Sequence, residues 1–135
     1  MSKLTTSERA RWRQLFDENG LTPDDIFTLQ HFTVITRHGI EKIQAKRGIE
    51  VEFNVESLQP DFIVIKAFGT MVEERGPDRE DKVHRVETYG EASKTNNRTG
   101  YPVAMAEKRA LSRCVLKLCG LYSEANVIGE DERPE

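Results

Sequence analysis

Residues 87–120 read ETYGEASKTNNRTGYPVAMAEKRALSRCVLKLCG, and this stretch decides the fold. Its first six residues continue a strand pattern that starts near Val83 and runs to Ala92. The polar run from Ser93 to Gly100 is a loop. Pro102 then opens a helix predicted over about 102–119, with Gly120 as its stop. On that helix Val103, Ala104, Ala110, Leu111, Cys114, Val115 and Leu118 cover an apolar arc of roughly 140°. One face of the helix therefore packs on a sheet. Glu107 falls inside the arc, where a buried carboxylate needs an ion pair or hydrogen bonds. Met105, Leu116 and Cys119 form a second, smaller apolar stripe. A single sheet cannot cover both, so the second is left for the N-terminal helices or a neighbouring subunit.

Upstream of this stretch lie two more strands. Ile49, Val51, Phe53 and Val55 alternate with Glu50, Glu52, Asn54 and Glu56, which gives one dry and one wet face. Phe62 to Glu74 is apolar on both faces early on, as a central strand should be. Pro60-Asp61 and Gly76-Pro77-Asp78 are turns. The three strands form an antiparallel meander.

Helical segments precede it. Thr5 and Glu8 have capping-box spacing, Trp12, Leu15 and Phe16 share one face, and Asn19-Gly20 ends the segment. Thr22-Pro23 starts a second short helix expected to reach about Gln30, and Phe32 to Ile35 is a short extended piece. Thr36 caps a helix to about Arg47, with Ile40 and Ile43 buried and Gly48 as its stop. The fold class is α+β: a three-stranded antiparallel meander against a long C-terminal helix, with short N-terminal helices. Residues 1–30 read as a helical segment, 31–121 as the core, and 122–135 as an acidic tail without a core pattern, expected to be disordered.

Composition narrows function. The 135 residues are 37% apolar and 32% charged, with net charge −3, which speaks against coating nucleic acid by bulk charge. No run approaches a membrane span, and the N-terminus has no apolar signal region. Cys114 and Cys119 make neither a disulfide framework nor a CxxC motif. The expectation is a reduced, cytoplasmic protein. His31, His38 and His84 sit in no metal-ligand pattern, and neither a GxSxG, a P-loop nor a GxGxxG is present. No metal or cofactor is expected, and no enzymatic activity.

Charge is unevenly placed. Between Lys94 and Lys117 lie six bases (Lys94, Arg98, Lys108, Arg109, Arg113, Lys117) and one acid, Glu107. From Tyr122 to Glu135 lie five acids and one base. Arg109, Arg113 and Lys117 are four apart and form a basic stripe on the last helix. Such a stripe is commonly a solvated face, yet it also suits phosphate contacts. The acidic tail reads most simply as a disordered, solvated end; the alternatives are contact with a partner and a nucleic-acid mimic lying against the basic groove.

The run from Glu87 to Ser93, the polar loop, and Ala106 to Gly120 resemble phage and plasmid single-strand annealing proteins, the superfamily of Erf, Red-beta and the eukaryotic Rad-type annealing protein. The matching positions are Tyr89, Gly90, Ala92, Lys94, Lys108, Arg109, Ala110, Arg113 and Leu118. The resemblance covers about 31–124 and is strongest over 87–120. It implies single-stranded DNA binding and strand annealing in homologous recombination and DNA repair, in a phage or mobile element. It also implies a homo-oligomer, as a ring or filament, needs no nucleotide, and leaves room for a partner nuclease or single-strand-binding protein. The phosphate-contact candidates are Lys94, Arg98, Arg109, Arg113 and Lys117. Tyr101 and Tyr89 could stack a base. The alternative is a non-enzymatic oligomerisation module whose basic stripe makes subunit contacts.

Overall fold

The structure is a computed structural model that describes residues 13–29, 32–93, 101–122 and 127–132. Helix α1 is described over 13–18. The capping-box pair Thr5 and Glu8, and Trp12, lie outside the described residues. Leu15 and Phe16 pack against the main core, as their spacing predicts.

Beyond Thr22 the chain makes only one 3-10 turn, Pro23–Asp25, before strand β1, Ile26–Leu29. The helix expected to reach Gln30 is therefore cut short. Asp25 closes a capping box on this turn: its carboxylate takes hydrogen bonds from the Thr22 amide (2.9 Å) and hydroxyl (3.0 Å) and an ion pair from Lys42 (2.8 Å). The turn goes no further because the residues that follow pair with β2, Phe32–Ile35, in an antiparallel register that sets Ile26 opposite Ile35. Helix α2, Arg37–Arg47, begins where expected: the Thr36 side chain accepts from the Gly39 amide, and Gly48 closes the helix at φ 61°.

The three strands and their antiparallel order are as read from the sequence, but the dry face expected on β3 is left uncovered at Phe53 and Val55, which are exposed. Strands β3, Glu50–Gln59, β4, Phe62–Glu73, and β5, Lys82–Ser93, are antiparallel with β4 in the centre. On β4 the buried side alternates strictly through Ile63, Ile65, Ala67, Gly69 and Met71. Helix α3, Pro102–Leu118, lies on that side, over β4 and β5.

Small residues set how close α3 comes. Ala106, Ala110 and Cys114, four apart on the helix, are fully buried against the sheet. A Cβ on Gly90 would strike the Ala106 carbonyl and the Ala110 amide, and one on Gly69 would strike the Cys114 sulfur. The Thr88 hydroxyl donates to the Ala110 carbonyl at 2.7 Å, a further tie between β5 and α3. Because α3 seats over these positions it leans away from β3. Its first turns rest on the sheet through Met105 and Ala106, and Val103, Ala104 and Glu107 lie off that contact and are exposed. Glu107, expected to be buried with a partner, stands in solvent for this reason.

The second apolar stripe finds its cover within the chain. Leu116 and Cys119 join Ile35, Ile40, Ile43 and Leu121 in the main core, between α2, α3 and the small sheet. That sheet has the order β1-β2-β6, where β6 is Val127–Gly129, parallel to β2. A second 3-10 turn, Glu130–Glu132, follows it. The tail expected to be disordered is thus ordered over 127–132. Val127 is buried in the core, and parallel pairing with β2 satisfies backbone groups that the sequence leaves without an evident partner.

Candidate nucleic-acid interface

The basic stripe of α3 runs beside the small residues that touch the sheet, so its side chains come down over the outer edge of β5. An edge strand turns alternate carbonyls away from its sheet. On β5 two of these belong to Tyr89 and Glu91, and arginines cap both. Arg113 Nη1 donates to the Tyr89 carbonyl, and Arg109 Nη1 donates to the Glu91 carbonyl at 2.8 Å. Arg109 Nε donates onward to the Asp131 carbonyl at 3.0 Å.

Arg113 then serves two carboxylates at once. Its Nη1 and Nη2 grip the Glu91 carboxylate, each at 2.9 Å, in the bidentate geometry that suits a guanidinium. Its Nε pairs with Glu132, whose second oxygen takes Nη2 at 2.9 Å. Next to it, Glu130 accepts from the Arg37 amide at 2.9 Å, and Asp131 pairs with the Arg37 guanidinium at 3.3 Å. The three acids of the final turn are all turned onto cationic or donor groups of the core.

The electrostatics follow. The Arg113 hydrogen bonds hold the Glu91 carboxyl below its ordinary value against the opposing effect of burial. Glu91 and Glu132 in turn push the Arg113 guanidinium up, so it stays charged at any accessible pH.

The predicted contact residues fare differently. Lys94 and Arg98 lie outside the described residues. Tyr101 stands 76% exposed at the start of α3. Arg109 is only 6% exposed, and Arg113 is largely covered by Glu91 and Glu132. The stripe is therefore no open basic face at these two positions. Only Lys117 remains exposed, with Nζ 5.4 Å from the centre of the Tyr122 ring. Tyr89 is half-exposed on the sheet's outer face, its ring 5.9 Å from Lys66 Nζ.

Two residues not picked out from the sequence enter the picture. Arg37 directly follows the Thr36 cap, and its pairing with a residue 94 positions away has no local signal. Tyr122 follows the helix stop at Gly120 and lines a small cleft of about 170 Å³ with Arg113, Leu116, Ile128 and Glu132.

Burial pushes the Cys114 thiol up to about 11 and raises Cys119 as well, so both are protonated at neutral pH and unsuited to nucleophilic attack. Among the described residues no group of three His, Cys, Asp or Glu side chains is placed to hold a metal ion. No helix among them is long and apolar enough to cross a membrane. Comparison with family models, with curated proteins and with solved structures returned no match.

Proposed function

We propose that the protein binds single-stranded DNA and promotes annealing of complementary strands, in the recombination or repair of a phage or mobile element. One observation carries the reading. Within the stretch that resembles the annealing superfamily, residues 87–93 and 101–120 pack as one interlocked unit. β5 and α3 are pressed together through Gly90, Ala106 and Ala110, against an antiparallel meander of the kind the resemblance implies. Lys117 and Tyr101 supply an exposed cation and an exposed ring on the same helical unit. Phosphate neutralisation and base stacking are the two contacts that sequence-tolerant strand binding uses.

The test is fluorescence anisotropy of a labelled oligo-dT over a salt series, followed by annealing of complementary oligonucleotides without nucleotide. Wild type binds at low salt, and Lys117→Ala flattens the log–log salt slope by roughly 0.7, one phosphate's share on a single strand. Tyr101→Ala weakens binding with little change in slope. Absence of binding by wild type at low salt overturns the proposal.

A second reading, an oligomerisation module, is favoured by the apolar row Phe53, Val55 and Leu58 on β3, which is 37%, 58% and 67% exposed. Its signature is a concentration-dependent oligomer in size exclusion that does not respond to oligonucleotide.

A further inference from the structure

The final turn, Glu130–Glu132, places three acids where a phosphate backbone would be held. Glu132 occupies the Arg113 guanidinium, Asp131 occupies that of Arg37, and Glu130 accepts from the Arg37 backbone amide. Carboxylates and phosphate oxygens are recognised by the same guanidinium fork. Beside Arg113 the cleft of about 170 Å³ has Tyr122 on its wall, a residue 42% exposed, with Lys117 over its ring. A cationic fork, a ring and a second cation thus converge, and Glu132 closes one side.

We propose that Arg113, Arg37, Lys117 and Tyr122 form a binding site for a nucleotide of single-stranded DNA, and that the turn Glu130–Glu132 is an intramolecular mimic that occupies the site until the strand displaces it. This inference rests on the DNA-binding reading above. The anchoring and the displaceable parts are separate. Val127 and Gly129 are buried in β6 and stay with the core, whereas the turn is held by polar contacts alone, with the Asp131 and Glu132 side chains 7% and 17% exposed beneath their arginine partners. Lifting the turn breaks the Arg109 Nε bond to the Asp131 carbonyl and opens the Glu132 side of Arg113 to a phosphate, while the Arg113 guanidinium stays anchored on Glu91. Arg109 keeps its bond to the Glu91 carbonyl and remains a clamp on β5 rather than a DNA contact.

The experiment compares four forms of the full chain by anisotropy on oligo-dT over a salt series. They are wild type, Glu132→Gln, the triple variant Glu130→Gln/Asp131→Asn/Glu132→Gln, and a charge-matched control, Glu50→Gln/Glu52→Gln/Glu56→Gln on β3. Both triple variants remove three negative charges and bring the net charge from −3 to 0. The turn variant binds about five- to twentyfold more tightly than wild type, with a salt slope steeper by roughly 0.7 to 1.4, the share of one or two phosphates. Glu132→Gln alone captures part of the gain and keeps a hydrogen-bonding group on Arg113, so the inference stays testable if the triple variant folds poorly. Adding Tyr122→Ala to Glu132→Gln cancels much of the gain.

Binding by all forms with equal affinity and slope, or an equal gain in the β3 control, overturns the mimic and leaves the DNA-binding reading standing. Binding by none overturns both.

Discussion

The two edges of the meander meet the same hazard in different ways. Each presents unpaired backbone groups that could recruit a foreign strand. The β5 edge is covered toward its C-terminal end: Arg109 and Arg113 cap the Glu91 and Tyr89 carbonyls, and the final turn is bonded to the same arginines. The β3 edge has no neighbouring strand among the described residues. It carries instead a register shift between Val55 and Ser57 and a row of acids, Glu50, Glu52 and Glu56, on its outer side. Both devices discourage edge pairing. The difference arises from where α3 can sit. The glycines and alanines that admit the helix lie on β4, β5 and α3, so its long side chains reach the β5 edge and leave the apolar row of β3 uncovered. One edge is closed by tertiary contacts, the other only by its own sequence.

The comparison can be broken most severely at the helix seat. Gly90→Val drives a side chain into the α3 backbone and should cost about 3 kcal/mol or more, removing the cover of β5 altogether. Urea unfolding followed by circular dichroism reads this as loss of the cooperative transition or a large fall in its midpoint. Arg109→Met comes next. It strands the Glu91 and Asp131 carbonyls beneath the turn and should cost about 2–3 kcal/mol by the same measurement. For that reason a combined Arg109→Ala/Arg113→Ala variant is a poor probe of DNA contacts, since its effect on folding would come first.

Acid titration sharpens the contrast at smaller amplitude. The Glu91 carboxyl is held low in the folded protein by Arg113, so its contribution is fully present above the ordinary glutamate value of about 4.3. It is lost as pH falls through the depressed folded value. Stability measured from pH 7 to 3 should therefore decline less steeply at the acid end in Glu91→Gln than in wild type, and an identical decline would show that the Arg113 pair contributes nothing. The smallest effect belongs to the other edge. Val55→Thr on β3 should change stability by about 0.5 kcal/mol or less, because its side chain is already mostly in water.

Much of the fold is legible from local patterns. The alternation in β3, the two-faced β4, the Thr36 cap and the Pro102 start each depend on chemistry within a few residues. The errors fall where a distant partner overrides that chemistry. Pro23 to Gln30 reads as helix until β2 claims the residues after Asp25. Val127 to Glu132 reads as solvated tail until β2 and three arginines receive it. Glu107 reads as buried because periodicity assumes that the sheet runs beneath the whole apolar arc, and here it does not.

The candidate site divides along the same line. The i, i+4, i+8 spacing of Arg109, Arg113 and Lys117 already places three cations along one side of a helix, since 3.6 residues per turn brings them into a row. Spacing cannot say what stands opposite. A guanidinium beside a sheet edge meets carbonyls and carboxylates at close range, and these win it over solvent through several short, directed bonds. Which cations are locked into the fold, as Arg109 is, and which stay in water, as Lys117 does, was decided only when β5 and the last turn came to lie beside α3.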